Sequence, residues 1–171
     1  MPVNKLILIG FMGSGKSSVA PLLAQRLNFR AVDADRELVR ASGYESIAEI
    51  FSHAGEPEFR DLEAKCIAAL RDASSVVIAT GGGVIGREEN MQHLSCNGGV
   101  IVFLDTSFAE VTRRIGDLAS RPLFRNQSIA EMIYQQRLPV YRRYADYTVH
   151  TDGKSPDELC TEITTLLEEY R

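Results

Sequence analysis

Short apolar runs alternate with longer stretches in which apolar side chains recur every three or four positions. Residues 5–9 read Lys-Leu-Ile-Leu-Ile and stop at Gly10, which predicts a strand buried on both faces. Val19, Leu22, Leu23 and Leu27 then carry helical spacing over residues 16–27. Further strands are expected over 29–33, 75–80, 100–104 and 147–150. Helical patterns cover 36–41, 47–51, 58–71, 88–94, 108–115, 129–144 and 157–169. Phe59, Leu62, Cys66, Ile67 and Leu70 mark the inner side of the helix that Pro57 opens. Pro139 predicts a kink or a restart within 129–144. Residues 116–127 are polar and aperiodic, and loops of that length are usually functional or disordered.

Five strands separated by helices imply a three-layer α/β/α fold around a five-stranded parallel sheet. A chain of 171 residues suits a single domain, and 44% apolar with 25% charged residues is ordinary for a water-soluble one. The net charge of −4 argues against nucleic acid as the main partner but leaves room for a local basic pocket. Cys66, Cys96 and Cys160 are far apart and form no C-x-x-C pair, so reduced thiols are expected rather than disulfides or a zinc site. No apolar run is long enough for a signal-peptide core or a membrane span. The expectation is a cytoplasmic protein with no membrane partner.

Gly10-Phe11-Met12-Gly13-Ser14-Gly15-Lys16-Ser17 matches G-x-x-x-x-G-K-[ST]. Glycines let backbone N–H groups turn inward and approach phosphate oxygens, and the loop feeds the positive end of a helix. Gly13, Ser14 and Gly15 belong to that cradle, Lys16 is expected to reach the β- and γ-phosphates, and the Ser17 hydroxyl to coordinate Mg²⁺. The preceding apolar strand and following amphipathic helix are the context this motif requires.

Asp33 and Asp35 stand at the carboxyl end of the second strand, where open α/β sheets bind ligands. While the chain is extended they point to one side, and a cation or a proton must relieve their repulsion. A kinase can use one near Mg²⁺ and one beside an acceptor hydroxyl. Asp35 as a plain N-cap for the helix from residue 36 is the alternative. Thr80-Gly81-Gly82-Gly83 closes the third strand and offers a ligand only backbone groups. Arg60, Arg121 and Arg137 are candidate anion binders, although an isolated arginine is more often a solvated or ion-paired one.

Together these residues resemble shikimate kinase, from the first strand to the last helix. The resemblance rests on GFMGSGKSS, Asp33-Ala34-Asp35, Phe59-Arg60, Gly81-Gly82-Gly83, Arg121-Pro122-Leu123 and the RLPVYR segment at 137–142. It implies a P-loop NTPase fold of the nucleoside-monophosphate-kinase type, and ATP and shikimate as the small-molecule substrates. Catalytic roles fall to Lys16, Asp35 and Arg121. Nucleotide contacts fall to Gly13, Ser14, Gly15, Lys16, Ser17, Ser18, Arg114, Arg121 and Lys154. Asp35, Phe51, Phe59, Arg60, Gly81, Gly82, Gly83 and Arg137 would bind shikimate, with the two helical arginines gripping its carboxylate. Ser17 and Asp33 would hold one Mg²⁺ ion. The resemblance also implies one kinase domain with a substrate-binding region at about 33–63 and a lid at about 116–127, working as a monomer. A related kinase for another small acid or polyol, such as gluconate, would share the P-loop without needing both Arg60 and Arg137. A guanine-specific switch would show N-K-x-D after a late strand, and the strands at 100–104 and 147–150 carry none.

Overall fold

The computed structural model describes residues 3–116 and 126–169. Five strands, β1 (Lys5–Ile9), β2 (Arg30–Asp33), β3 (Val76–Ala79), β4 (Gly99–Asp105) and β5 (Tyr147–His150), form one parallel sheet in the order β2-β3-β1-β4-β5. The helices are α1 (Lys16–Leu27), α2 (Ala34–Ser42), α3 (Ile47–Ala69), α4 (Glu88–Ser95), α5 (Phe108–Ile115), α6 (Gln127–Tyr144) and α7 (Pro156–Glu169). A 3-10 turn, Val84–Gly86, follows the glycines after β3.

Alternation along β1 sorts the core into two layers. Leu6 and Leu8 face α1 and α7 through Val19, Leu23, Leu159 and Ile163, while Ile7 and Ile9 face Ile67, Leu94, Val111, Ala130 and Tyr141. Both faces of the central strand are therefore covered, which is why it reads as an unbroken apolar run. A smaller cluster of Leu38, Ile50 and Phe59 joins α2 to α3.

Three local details depart from the sequence expectation. The helices expected at 47–51 and 58–71 run end to end as α3, broken only where Gly55 takes φ 80° and ψ 172°. No restart occurs at Pro139, and α6 runs from Gln127 to Tyr144. Leu138 and Val140 pack against the core on either side of the proline, and the carbonyl it frees belongs to exposed Gln135, within reach of water. Lys5, expected only to open a strand, is wholly buried. Its ammonium donates to the carbonyls of Arg71 (2.7 Å) and His93 (3.3 Å), so it ties α4 and the end of α3 to the amino end of β1. Burial pushes its pKa down.

Candidate active site

The carboxyl ends of β1, β2 and β3 meet at one cleft. Gly10 has φ 149° and Gly13 and Gly15 have φ 78° and 96°, which lets the loop fold over its own amides ahead of α1. A side chain on Gly10 would run into the Leu104 carbonyl at 2.8 Å and Ser14 Oγ at 2.9 Å. Ser14 is fully buried. Lys16 is 7% exposed and curls over the loop, donating to the carbonyls of Gly10 (2.7 Å) and Phe11 (3.0 Å) and to Ser14 Oγ (3.2 Å).

Asp33 does two jobs. Its Oδ1 accepts from the backbone N–H groups of Asp35 and Arg36, so Asp33, and not Asp35, caps α2. Its Oδ2 accepts from the Ser17 hydroxyl at 3.0 Å. A hydroxyl and a carboxylate oxygen so close, at the mouth of a phosphate loop, are donors that suit a hard divalent cation such as Mg²⁺. Among the described residues there is no cluster of three or more His, Cys, Asp and Glu fit to hold a metal alone. Asp35, inside the first turn of α2, turns towards Gly81. A Cβ placed on Gly81 would lie 2.9 Å from Asp35 Oδ1 and 3.1 Å from Glu63 Oε1.

Glu63 is the functional candidate that the sequence reading missed. It is 4% exposed, its Oε2 accepts from Arg60 Nη1 at 2.8 Å, and its Oε1 has no hydrogen-bond partner among the described residues. Burial pushes its pKa up, Arg60 pulls it back, and Asp35 adds to the rise. The signal was present: Glu63 falls on the inner stripe of α3, four residues after Phe59 and four before Ile67.

Arg60 and Arg137 converge on the glycine turn from two different helices. A Cβ on Gly83 would strike the Arg60 guanidinium. One on Gly82 would meet Met12 N at 3.4 Å, the Gly10 carbonyl at 3.5 Å and Arg137 Nη1 at 3.6 Å. Gly82 thus lies between the phosphate loop and Arg137. The Arg137 guanidinium also sits 5.9 Å above the Phe11 ring, and that of Arg60 lies 5.0 Å over Phe59. Phe51 packs on Phe59 with ring centroids 4.5 Å apart and stays 37% exposed, giving the cleft an aromatic wall.

On the other flank a cavity of about 400 Å³ is lined by Gly15, Ser18, Arg114, Lys154 and Pro156, among others. Arg114 is fixed there by three acceptors: Glu110 Oε1 (2.8 Å), the Thr151 carbonyl (3.0 Å) and the Ser14 carbonyl (3.4 Å). Arg113 and Arg114 hold the Glu110 carboxyl down to about 2. Lys154 pairs with Glu162 at 2.5 Å. Arg121, and residues 117–125 of the expected lid, lie outside the described residues.

A phosphate loop, paired acidic residues at the next strand end and two arginines over a glycine turn define a P-loop kinase for a small anionic acceptor. The family model described as "Shikimate kinase" matches residues 12–168, and the chain belongs to that family. It is 40% identical to the shikimate kinase of Thermodesulfovibrio yellowstonii over 98% of this chain and 95% of the relative. Identity is also 40% to that of Persephonella marina, over 94% and 97%. Among solved structures, shikimate kinase from Acinetobacter baumannii in complex with shikimate superposes with a TM-score of 0.92 at 30% identity, covering 99% of this chain and 95% of that one. A gluconokinase from Sinorhizobium meliloti shares the fold alone, with a TM-score of 0.65 at 18% identity over 98% and 93%. Among the described residues no helix is long and apolar enough to cross a membrane.

Proposed function

We propose that this protein transfers the γ-phosphoryl group of ATP to the 3-hydroxyl of shikimate, giving ADP and shikimate 3-phosphate, a step of aromatic amino-acid biosynthesis. The observation that carries this reading is the convergence of Arg60 and Arg137 on Gly82 and Gly83, against the phosphate loop. Two guanidinium forks beside a side-chain-free turn suit a carboxylate on a compact ring. Phe51 and Phe59 supply the apolar wall for that ring. Family membership, and the shikimate held by the Acinetobacter baumannii relative, support the same acceptor.

In this reading the whole chain is one kinase domain, and the region of about 33–63 supplies Asp35, Phe51, Phe59 and Arg60 to the acceptor side. Asp35 orients the acceptor hydroxyl and draws on its proton as the new P–O bond forms. Lys16 leaves the loop carbonyls for the phosphate oxygens and offsets their growing charge, and Arg121 does the same from the segment after α5. Arg114 and Lys154 flank the adenine in the 400 Å³ cavity. Ser17 and Asp33 hold Mg²⁺, which when bound neutralises charge on the β- and γ-phosphates. Exclusion of water from the cleft keeps the phosphoryl group for the acceptor.

A coupled ADP-release assay with shikimate, quinate and gluconate tests this. Shikimate should raise turnover far above basal ATP hydrolysis, and the other two should not. No stimulation by shikimate removes the proposal, and stimulation by gluconate alone moves the protein to a different acceptor.

A further inference from the structure

Tyr141 is a buried side chain that none of the functions above uses. It lies on α6 one turn beyond Arg137, is 1% exposed, and stacks on Phe103 with centroids 5.1 Å apart and planes 20° apart. Phe103 belongs to the central sheet, so the ring has a rigid support. The hydroxyl at its far end donates to the Gly82 carbonyl at 2.5 Å. The Arg137 charge pulls against the effect of burial on the Tyr141 pKa, which is pushed up to about 12. The hydroxyl therefore remains protonated across the working range and donates to the carbonyl.

Three glycines in a row have little to hold their peptide planes, because rotation about φ and ψ meets no Cβ. Only two backbone contacts brace the turn from within, Val84 N–H to the Gly81 carbonyl (3.2 Å) and Gly86 N–H to the Gly83 carbonyl (3.0 Å). Neither holds the peptide between Gly82 and Gly83. Its carbonyl is the one Tyr141 binds, so the phenol sets which way that plane faces. Arg137 lies against the same turn, since a Cβ on Gly82 would sit 3.6 Å from its Nη1.

We propose that Tyr141 is a positioning residue for acceptor binding: its hydroxyl fixes the orientation of the Gly82–Gly83 peptide, the plane beside which the Arg137 guanidinium sits. It does not touch the acceptor. Its effect is to spare the free protein the cost of ordering that plane when the acid arrives. This inference rests on the reading of Arg137 as an arm of the acid grip, and the experiment separates the two.

Steady-state kinetics and thermal melts are measured for wild type, Tyr141→Phe, Phe103→Leu and Arg137→Ala. Tyr141→Phe keeps the ring and its stacking and removes only the hydroxyl. KM for shikimate should rise about tenfold, the equivalent of one well-formed neutral hydrogen bond. KM for MgATP, kcat and Tm should stay close to wild type. Phe103→Leu removes the support but leaves the hydroxyl, so it should lower Tm with a much smaller change in KM for shikimate. An unchanged KM in Tyr141→Phe, a parallel loss for both substrates, or a variant that fails to fold would each make the hydroxyl structural only and overturn the proposal. The same follows if Phe103→Leu reproduces the Tyr141→Phe kinetics. If Arg137→Ala leaves KM for shikimate unchanged, the acid-grip reading itself fails. If Arg137→Ala raises it and Tyr141→Phe does not, only the positioning role is lost.

Discussion

Arg60 Nη1 lies 2.8 Å from Oε2 of Glu63, a carboxylate only 4% exposed beside the glycine turn. Arg60 itself remains partly open to the cleft, so it is oriented from behind and left accessible in front. The pair has a consequence for stability. A carboxyl whose pKa is raised in the folded state contributes most below the unfolded value of 4.5, and that contribution is lost as pH rises through the folded value. Glu63→Gln does not titrate. Its Tm minus the wild-type Tm should therefore climb as pH rises above the unfolded value of 4.5. A difference that stays flat as pH rises from that value would refute the assignment.

Gly83 is predicted to be intolerant of any side chain, for a reason that concerns the site more than the fold. A methyl group there occupies the space of the Arg60 guanidinium, and the arginine, being flexible, moves away. Gly83→Ala should raise KM for shikimate about tenfold or more, the usual penalty for displacing a charged hydrogen-bonding arm. Tm and KM for MgATP should hold. Isothermal titration with shikimate in the absence of nucleotide reads the effect directly.

Glu110 acts in the same indirect way on the flank proposed to hold the nucleotide. It holds Arg114 by Nε, and Arg113 by two further nitrogens at 2.7 and 2.8 Å. Glu110→Gln should raise KM for MgATP several-fold and leave KM for shikimate alone. The wild-type carboxyl, depressed to about 2, stabilises the fold above its unfolded value of 4.5 and loses that contribution as pH falls towards 2. Acid melts should accordingly show wild type losing stability faster than Glu110→Gln between those two pH values.

Asp35→Asn separates chemistry from binding. The side chain remains nearly isosteric and α2 keeps its cap, because the cap is Asp33. Turnover should fall by about 10²–10⁴-fold, the range for losing a positioned proton acceptor. Tm and KM for MgATP should change little. Turnover within a factor of a few of wild type would remove Asp35 from the reaction.

How far the sequence reaches is set by how local each signal is. Strand β1, the phosphate loop and α1 were legible because an apolar run, fixed glycines and helical spacing each act within a few residues. Asp33, Asp35 and the glycine turn were legible as candidates because they fall at strand ends. Arg60 and Arg137 were ambiguous alone; only the packing of α3 and α6 brings them to one turn. Lys5, Glu63 and Tyr141 are side chains whose partners lie on other elements or on a neighbouring turn. Their roles come from burial, which a local pattern encodes only as a misplaced charge or hydroxyl on an inner face. The missing restart at Pro139 has the same origin, since packing on both sides outweighs a local preference.

The strand order places β1 between two flanks, with β2 and β3 on one side and β4 and β5 on the other. Asp35, Arg60 and the triple glycine come from the first flank, and Arg114 and Lys154 from the second. A lineage could therefore retailor the acceptor without rebuilding the donor end, so long as the shared central strand keeps its loop. Arg137 is the exception, sent across from α6, so a new diet would draw on that helix of the second flank as well as on the first.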